Sequence, residues 1–505
     1  MTVTPETTRQ RVLNTPEAGG GERAWRLPAD DLARRAMRVP WLWPALATLF
    51  LGCYQVDNAV LWRDELWSWS FAAKPAGQLI STAGGSNPAG VPYYLLLHYW
   101  ISVFGDSVAA MRMLSVLAMT IAAALVTLAG RRLAGARAGL LAGLVFALVP
   151  SVSRFAQEVR FYAPEMLAAS LATLLLLRAL DEPLPRRWAV YALSLAAVGY
   201  LDIVALSLLA GHAAAVALRW QATRNNRLLL FAAAAAAGLA ACLPLAAVSW
   251  GKSAGQVGWI PRPGFDMYVL SFFARNLYYS TSVAAGVLVL ALLGWTARRP
   301  AAFATAIAVA PVASVWLLSQ GANSYFFPRY LLFTVAAWAI LAGIGLSRLD
   351  VRLAAVAVLV IAMFGAGDQR IIREAGAHDC ASYPVGSCDG YYLDYAAAAR
   401  IVADGVRSGD GIIYSTRRDN WEMIGPGVRY YLRHYLPVRE PLPQQLATSS
   451  ALGAAHRLWI VASRRWRNPY RMFNTRQVAA LRQQYQQSRA RYVPGLTVFL
   501  MVREH

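Results

Sequence analysis

Up to about residue 366 the sequence is built from long apolar runs separated by short polar stretches; after that the pattern changes. A helix needs about 20 apolar residues to cross the hydrocarbon core of a bilayer. On that measure the first span runs from Trp41 to Val56. Further spans are expected at 109–130, 137–151, 163–180, 187–200, 203–219, 228–250, 281–297, 300–319, 329–347 and 350–366, about eleven in all. Residues 91–105, VPYYLLLHYWISVFG, are apolar and aromatic but short. If that run crossed, every later loop would change sides. Basic residues collect on the cytoplasmic side of membrane helices. With a cytoplasmic N-terminus and 91–105 re-entrant or interfacial, the pairs Arg131–Arg132, Arg186–Arg187 and Arg298–Arg299 all fall inside, whereas a crossing would put all three outside. An odd number of spans then places the C-terminus outside.

Beyond residue 366 no span is expected. GDGIIYS (409–415), RLWIVAS (457–463) and LTVFLMV (496–502) are short, β-rich and apolar, with helical stretches at 394–407 and 475–490 between them. Alternation of this kind predicts a small α/β domain. The expected architecture is a polytopic α-helical membrane protein of about 11 transmembrane helices with a C-terminal soluble α/β domain. Its parts are a cytoplasmic polar tail (1–38), a transmembrane domain (39–366) with an outer loop at 57–108, and an extracytoplasmic domain (367–505) in the plasma membrane of the cell.

Composition agrees. Of 505 residues, 57% are hydrophobic and 15% charged, against about 25% charged in soluble domains. The mean hydropathy is +0.39. These values exclude a disordered chain. The net charge of +21 is almost all arginine, the only lysines being Lys74 and Lys252. No recognition helix, zinc-finger spacing or RNA-binding signature accompanies it, so no nucleic-acid partner is expected; arginines at helix ends meet anionic lipid instead. The tail 1–38 is too long and too mixed for a cleaved secretory signal. Cys53 and Cys242 lie in apolar runs, while Cys380 and Cys388 lie in a polar stretch where a disulfide would suit an oxidising compartment.

The polar residues concentrate on the outer side, at the ends of spans. Leu61-Trp62-Arg63-Asp64-Glu65-Leu66-Trp67 sets an acidic pair between tryptophans. Tryptophan favours the headgroup layer. A carboxylate there is partly desolvated, which raises its pKa and suits a general base; an interfacial anchor with a solvated acid pair fits equally well. The same loop continues with Ser86-Asn87-Pro88-Ala89-Gly90-Val91-Pro92-Tyr93-Tyr94 and His98. A second cluster joins two spans: Gln157-Glu158-Val159-Arg160-Phe161-Tyr162. A third, Phe327-Pro328-Arg329-Tyr330, begins a late span, and Lys252 and Arg262 lie in a fourth outer loop. Arginine at an interface binds phosphate; local Glu–Arg pairing is the plainer alternative.

Taken together, these motifs resemble those of the C superfamily of membrane glycosyltransferases. The likeness is to family 39-like polyprenyl-phosphate-sugar transferases, which include protein O-mannosyltransferases and the aminoarabinose transferases acting on lipid A. Arg63-Asp64-Glu65-Leu66-Trp67-Ser68-Trp69, Asn87-Pro88, Tyr93 to His98, Gln157 to Tyr162 and Pro328-Arg329-Tyr330-Leu331 carry the resemblance, which covers about residues 40 to 366. The chain departs from many relatives in having Asn87-Pro88-Ala89 in place of His-Pro-Pro.

The resemblance implies an inverting transfer from a polyprenyl-phosphate sugar to a glycan, lipid or protein hydroxyl. Asp64 and Glu65 would be catalytic, with Asp64 the general base. Arg160, Arg329 and Lys252 would hold the donor phosphate. Asn87, Tyr94, His98, Gln157, Glu158, Tyr162 and Tyr330 would contact substrate. It leaves room for a divalent metal near Asp64, Glu158 and His98. The competing reading is a transporter or flippase for a lipid-linked substrate, which usually needs ionisable groups near the membrane midplane; here the acids lie at the rim.

Overall fold

The computed structural model describes residues 39–252, 257–378, 392–414, 422–435 and 455–503. The tail 1–38 and the expected Cys380–Cys388 disulfide lie outside the described residues.

Helices occupy the apolar runs, and their ends follow local chemistry. The helices are numbered in chain order: α1 (Leu42–Cys53), α2 (Arg63–Ala72), α3 (Ala76–Ser86), α4 (Val91–Phe104), α5 (Val108–Ala134), α6 (Ala136–Leu148), α7 (Pro150–Ala156), α8 (Tyr162–Asp181), α9 (Pro185–Leu201), α10 (Leu208–Thr223), α11 (Leu230–Trp250), α12 (Met267–Tyr278), α13 (Thr281–Gly294), α14 (Arg299–Leu318), α15 (Thr334–Leu346) and α16 (Val351–Ile371). In α5, the Ser107 hydroxyl accepts the N–H of Ala110 at 3.2 Å, and Gly135, at φ +91°, ends the helix. That left-handed conformation favours glycine. The next helix folds straight back. A Cβ on Gly139 would lie 2.4 Å from the Thr127 carbonyl oxygen, so only glycine lets α5 and α6 approach this closely.

Among the described residues five helices are long and apolar enough to cross a membrane, or up to seven if each of two bent pairs is one span. The bends are 65° at Val149, between α6 and α7, whose first residue is Pro150, and 96° where α12 meets α13. Phe50, Leu193, Leu243, Leu292 and Leu359 are exposed on their helices, a surface suited to lipid rather than water.

The ambiguous run 91–105 forms α4. At 1.5 Å per residue its 14 residues reach about 21 Å, short of a hydrocarbon core about 30 Å thick. It packs on α2, α3 and α5 and buries Tyr93, Tyr94 and Leu97 in the core of loop 57–108.

The C-terminal part adds α17 (Tyr395–Ala403), β1 (Gly411–Tyr414), α18 (Ile424–Leu432), β2 (Arg457–Ser463), α19 (Thr475–Gln484), β3 (Tyr485–Val493) and β4 (Leu496–Arg503). The strand order is β1-β2-β4-β3, with β1 parallel to β2 and the other pairs antiparallel. Alternate residues face opposite ways, as the pleat demands. Ile412, Trp459, Val461 and Val498 join the core that contains α17, α18 and loop 57–108, while Ile413, Ile460, Phe499 and Met501 pack with Phe473 and Leu481 on the far side. The near face fixes the loop. Tyr430 stands edge-on to Trp69 with ring centroids 5.0 Å apart, its hydroxyl donates to the Asp106 carbonyl at 2.7 Å, and the Leu61 N–H donates to the Tyr431 hydroxyl at 3.0 Å.

Candidate active site

Helix α2 presents two acids in its first turn, where the helix dipole favours negative charge. Neighbouring positions on a helix do not share a face, and these two carboxylates turn to different surroundings.

Glu65 points inward and is fully buried. Arg112 grips it with two hydrogen bonds, Nε to Oε1 at 2.9 Å and an Nη to Oε2 at 2.8 Å. The Val159 N–H donates to Oε1 at 3.0 Å, and the backbone N–H of Trp62, the residue before the helix, donates to Oε2 at 3.3 Å. Arg112 spends its other Nη on the carbonyls of Val56 and Ala59 and also reaches Nδ1 of His378 at 3.3 Å. A second buried pair adjoins the first. Arg154 donates to Glu158 at 2.9 Å and to the His378 carbonyl at 3.3 Å, and the Trp62 indole N–H donates to the other Glu158 oxygen at 3.0 Å. Burial pushes the Glu65 carboxyl up, but Arg112 and His378 outweigh it and hold the carboxyl well below its ordinary value. Burial, with Arg154 and Arg112 nearby, lowers His378 to about 3 despite Glu65, so it is neutral.

Asp64 turns the other way, toward Arg329 and Arg160. Arg329 reaches its Oδ2 at 3.4 Å and Arg63 its Oδ1 at 3.6 Å, and a fifth of the Asp64 side chain remains exposed. Burial raises this carboxyl, but the charges of Arg160, Arg329 and Arg63 prevail and set it below its ordinary value. This is the reverse of one of the two sequence readings, a carboxyl raised by the interface; the three guanidinium groups make the difference. Arg329 is ringed by aromatic faces, with Phe327, Tyr330, Trp259 and Tyr162 at 5.2–5.9 Å. Arg160 lies over Phe161 and Tyr162 and adjoins the Tyr94 hydroxyl. Tyr94 accepts a hydrogen bond from Asn87 at 2.9 Å and stacks on Phe71. Gly90 makes room for that ring, since a Cβ there would lie 2.6 Å from it.

Thus Asp64, Arg160, Arg329, Asn87, Tyr94, Tyr162 and Tyr330 come together. The other expected site residues sit elsewhere or are engaged. Glu65 and Glu158 are braces behind the site, with their oxygens taken. Gln157 donates to the carbonyls of Gly52 and Tyr54 at the end of α1. His98 bonds through Nδ1 to the Ala72 carbonyl at the last turn of α2, about 12 Å along the helix axis from Asp64 at 1.5 Å per residue. Lys252 donates to the carbonyls of Gly84 and Gly85, near the end of α3. Among the described residues no three His, Cys, Asp or Glu side chains gather as a metal ion needs, so Asp64, Glu158 and His98 do not fit a metal.

Three residues of the brace went unassigned in the sequence reading: Arg112, Arg154 and His378. Arg112 carried a signal, being a charge inside an otherwise apolar expected span, where ionisable groups are costly and usually serve a purpose.

Comparison with known proteins bears on the fold. The profile of the family described as dolichyl-phosphate-mannose-protein mannosyltransferase matches residues 87–250. Among solved structures, ArnT from Cupriavidus metallidurans in the apo state has a TM-score of 0.59 at 15% identity, covering 93% of this chain and 98% of that one. The same protein bound to undecaprenyl phosphate gives 0.57 at 14% identity, covering 94% and 98%. The fold is similar to that of ArnT along nearly the whole of both chains. No curated protein matches the chain. In this fold, α2 and the segment Pro328–Leu331 bring Asp64 and Arg329 together from positions 265 residues apart.

Proposed function

We propose that this protein is an inverting glycosyltransferase that moves a sugar from a polyprenyl-phosphate donor to a hydroxyl of an extracytoplasmic glycan, lipid or protein. One observation carries the reading: a partly exposed carboxylate, Asp64, within reach of Arg329 at 3.4 Å and under the charge of Arg160. The likeness of the fold to that of ArnT and the undecaprenyl phosphate bound by ArnT support it.

The donor phosphate binds between Arg160 and Arg329, whose planar groups suit its oxygens. The acceptor hydroxyl attacks the anomeric carbon from the Asp64 side and inverts it. The bond from that carbon to the phosphate oxygen breaks, its electron pair stays with the phosphate, and Asp64 takes the hydroxyl proton. Three nearby arginines keep Asp64 ionised but make it a weak base. Arrival of the anionic phosphate neutralises part of that positive charge and raises the proton affinity of Asp64 when it is needed. The arginines then stabilise the leaving phosphate. Glu65 and Glu158 act as positioning residues. The chain crosses the membrane about eleven times in this reading, with the N-terminus cytoplasmic and the C-terminal domain outside.

The test is incubation of the purified protein with radiolabelled polyprenyl-phosphate sugars and a panel of acceptors. Sugar transfer, lost in Asp64→Asn, is the expected result. Movement of lipid-linked sugar across vesicles without transfer would reject the enzyme in favour of a transporter.

A further inference from the structure

Two acids stand one layer behind the arginines, and the chemistry above uses neither. Glu165 lies one turn beyond Tyr162 on the same face of α8 and is fully buried. Asp202 follows the last residue of α9. Helices α8 and α9 pack together and are joined by only Glu182 to Leu184, so they run antiparallel. The start of α8 and the end of α9 therefore share one end of the bundle, which brings Glu165 near Asp202. The turn Val204–Ser207 packs against Pro328–Leu331, the segment that carries Arg329, and Asp202 feels the charge of Arg160.

Hydrogen bonding is incomplete here. Asp202 Oδ1 accepts the Val204 N–H at 2.8 Å. Asp202 Oδ2, both Glu165 oxygens, the Ser207 hydroxyl and the hydroxyl of Tyr162, itself 1% exposed, are shut off from solvent with no hydrogen-bond partner among the described residues. Nε of Arg160 and of Arg329 are in the same position. Buried polar groups are almost always paired, and leaving them unpaired costs stability. Such a set next to a phosphate site fits a ligand that completes it. The acids offer acceptor oxygens, and the hydroxyls and guanidinium N–H groups offer donors, so the ligand brings groups that both donate and accept, as sugar hydroxyls do.

We propose that Glu165 and Asp202, with Tyr162 and Ser207, form the pocket for the donor's sugar ring, accepting hydrogen bonds from its hydroxyls while Arg160 and Arg329 hold the phosphate. The proposal rests on the lipid-phosphate donor reading and adds the residues that select the sugar. A pocket built to bond a hydroxyl strongly rejects the analogue that lacks it.

The experiment compares binding to the purified full-length protein of bare undecaprenyl phosphate, of undecaprenyl-phosphate hexoses and pentoses, and of monodeoxy analogues of the tightest of these. In the unaltered protein the sugar adds affinity over the bare lipid phosphate, and at least one deoxy analogue loses it. Glu165→Gln and Asp202→Asn each reduce that sugar-dependent gain ~10-fold and blunt the discrimination, while bare undecaprenyl phosphate binds as before, which also reports intact folding. Variants that keep the full gain and the same discrimination would overturn the proposal, and so would equal weakening of the bare lipid phosphate. If the unaltered protein binds neither bare nor glycosylated lipid phosphate, the donor reading itself falls and takes the pocket with it; if it binds the bare lipid phosphate and the sugar adds nothing, only the pocket falls.

Discussion

Asp64 and Glu65 are adjacent acids in one helical turn, and the structure treats them in opposite ways. Glu65 is fully buried, with both oxygens occupied by Arg112 and by backbone N–H groups. Asp64 keeps a fifth of its surface exposed and holds Arg329 only at 3.4 Å. A saturated, dry ion pair resists change, because breaking it strands a charge away from water. A loose, partly wet one exchanges partners cheaply when an anion or a hydroxyl arrives. The contrast separates scaffold from chemistry: the saturated cluster holds the start of α2 against the turn 157–161, and the unsaturated one is left free to react.

The sharpest way to break this comparison is to neutralise each acid in turn. Asp64→Asn preserves shape and should lower kcat by ~10²–10⁴-fold, the usual contribution of a positioned base, with thermal stability nearly unchanged. Turnover assays beside a melting curve check it, and retained turnover would end the assignment. Glu65→Ala should do the converse. It strands Arg112 and should cost ~3–5 kcal/mol of stability, seen as a large fall in Tm, with the activity per folded molecule much less affected. The sign with pH follows from the lowered carboxyl. The stability that Glu65 contributes is fully present above its unfolded value of about 4.3 and is lost as pH falls through the lower folded one. Glu65→Gln should therefore flatten the acid side of a plot of Tm against pH.

Much of this contrast was not legible in the sequence. The apolar runs, the rim position of the polar clusters and the strand-like segments near the C-terminus are local signals, set by runs and periodicity. The motifs around Asp64, Arg160 and Arg329 could also be read, because each is dense in charge between apolar stretches. What could not be read is which acid has a dedicated partner. Arg112 lies 47 positions from Glu65, and His378 another 266 beyond Arg112. Their pairing depends on helix packing that no local pattern encodes. The same holds for Gln157 and His98, polar residues among the motifs whose bonds go to backbone carbonyls at the ends of α1 and α2.

Arg329→Ala should give the next largest effect on function. Hydrogen bonds to charged groups are worth about 1.5–3 kcal/mol, so the donor KM should rise ~10- to 100-fold while the acceptor KM moves little; an unchanged donor KM would remove Arg329 from phosphate binding. The same variant sharpens the electrostatic side of the comparison. Asp64 sits below its ordinary value, so the acid limb of kcat/KM should fall below about pH 3.9. Without Arg329 one of the three opposing charges is gone, and the limb should move to higher pH. A limb that stays in place would mean that Arg160 and Arg63 alone set the charge on Asp64.

The smallest effect belongs to Lys252, and it separates two kinds of cation in this fold. Arg329 faces an acid and has an Nε with no hydrogen-bond partner among the described residues, so it can turn to a phosphate. The Lys252 ammonium is spent on the carbonyls of Gly84 and Gly85, both at 2.7 Å, where a cation stabilises the end of a helix. Such a contact is worth about 0.3–1 kcal/mol. Lys252→Met should therefore lower Tm slightly and leave the donor KM within about twofold, because a loss below 0.4 kcal/mol in donor binding is less than a factor of two. Measuring donor KM in Lys252→Met and Arg329→Ala side by side decides the matter. If the two rise together, Lys252 leaves α3 to meet the donor phosphate, and the division between bracing and reacting charges does not extend to the cations.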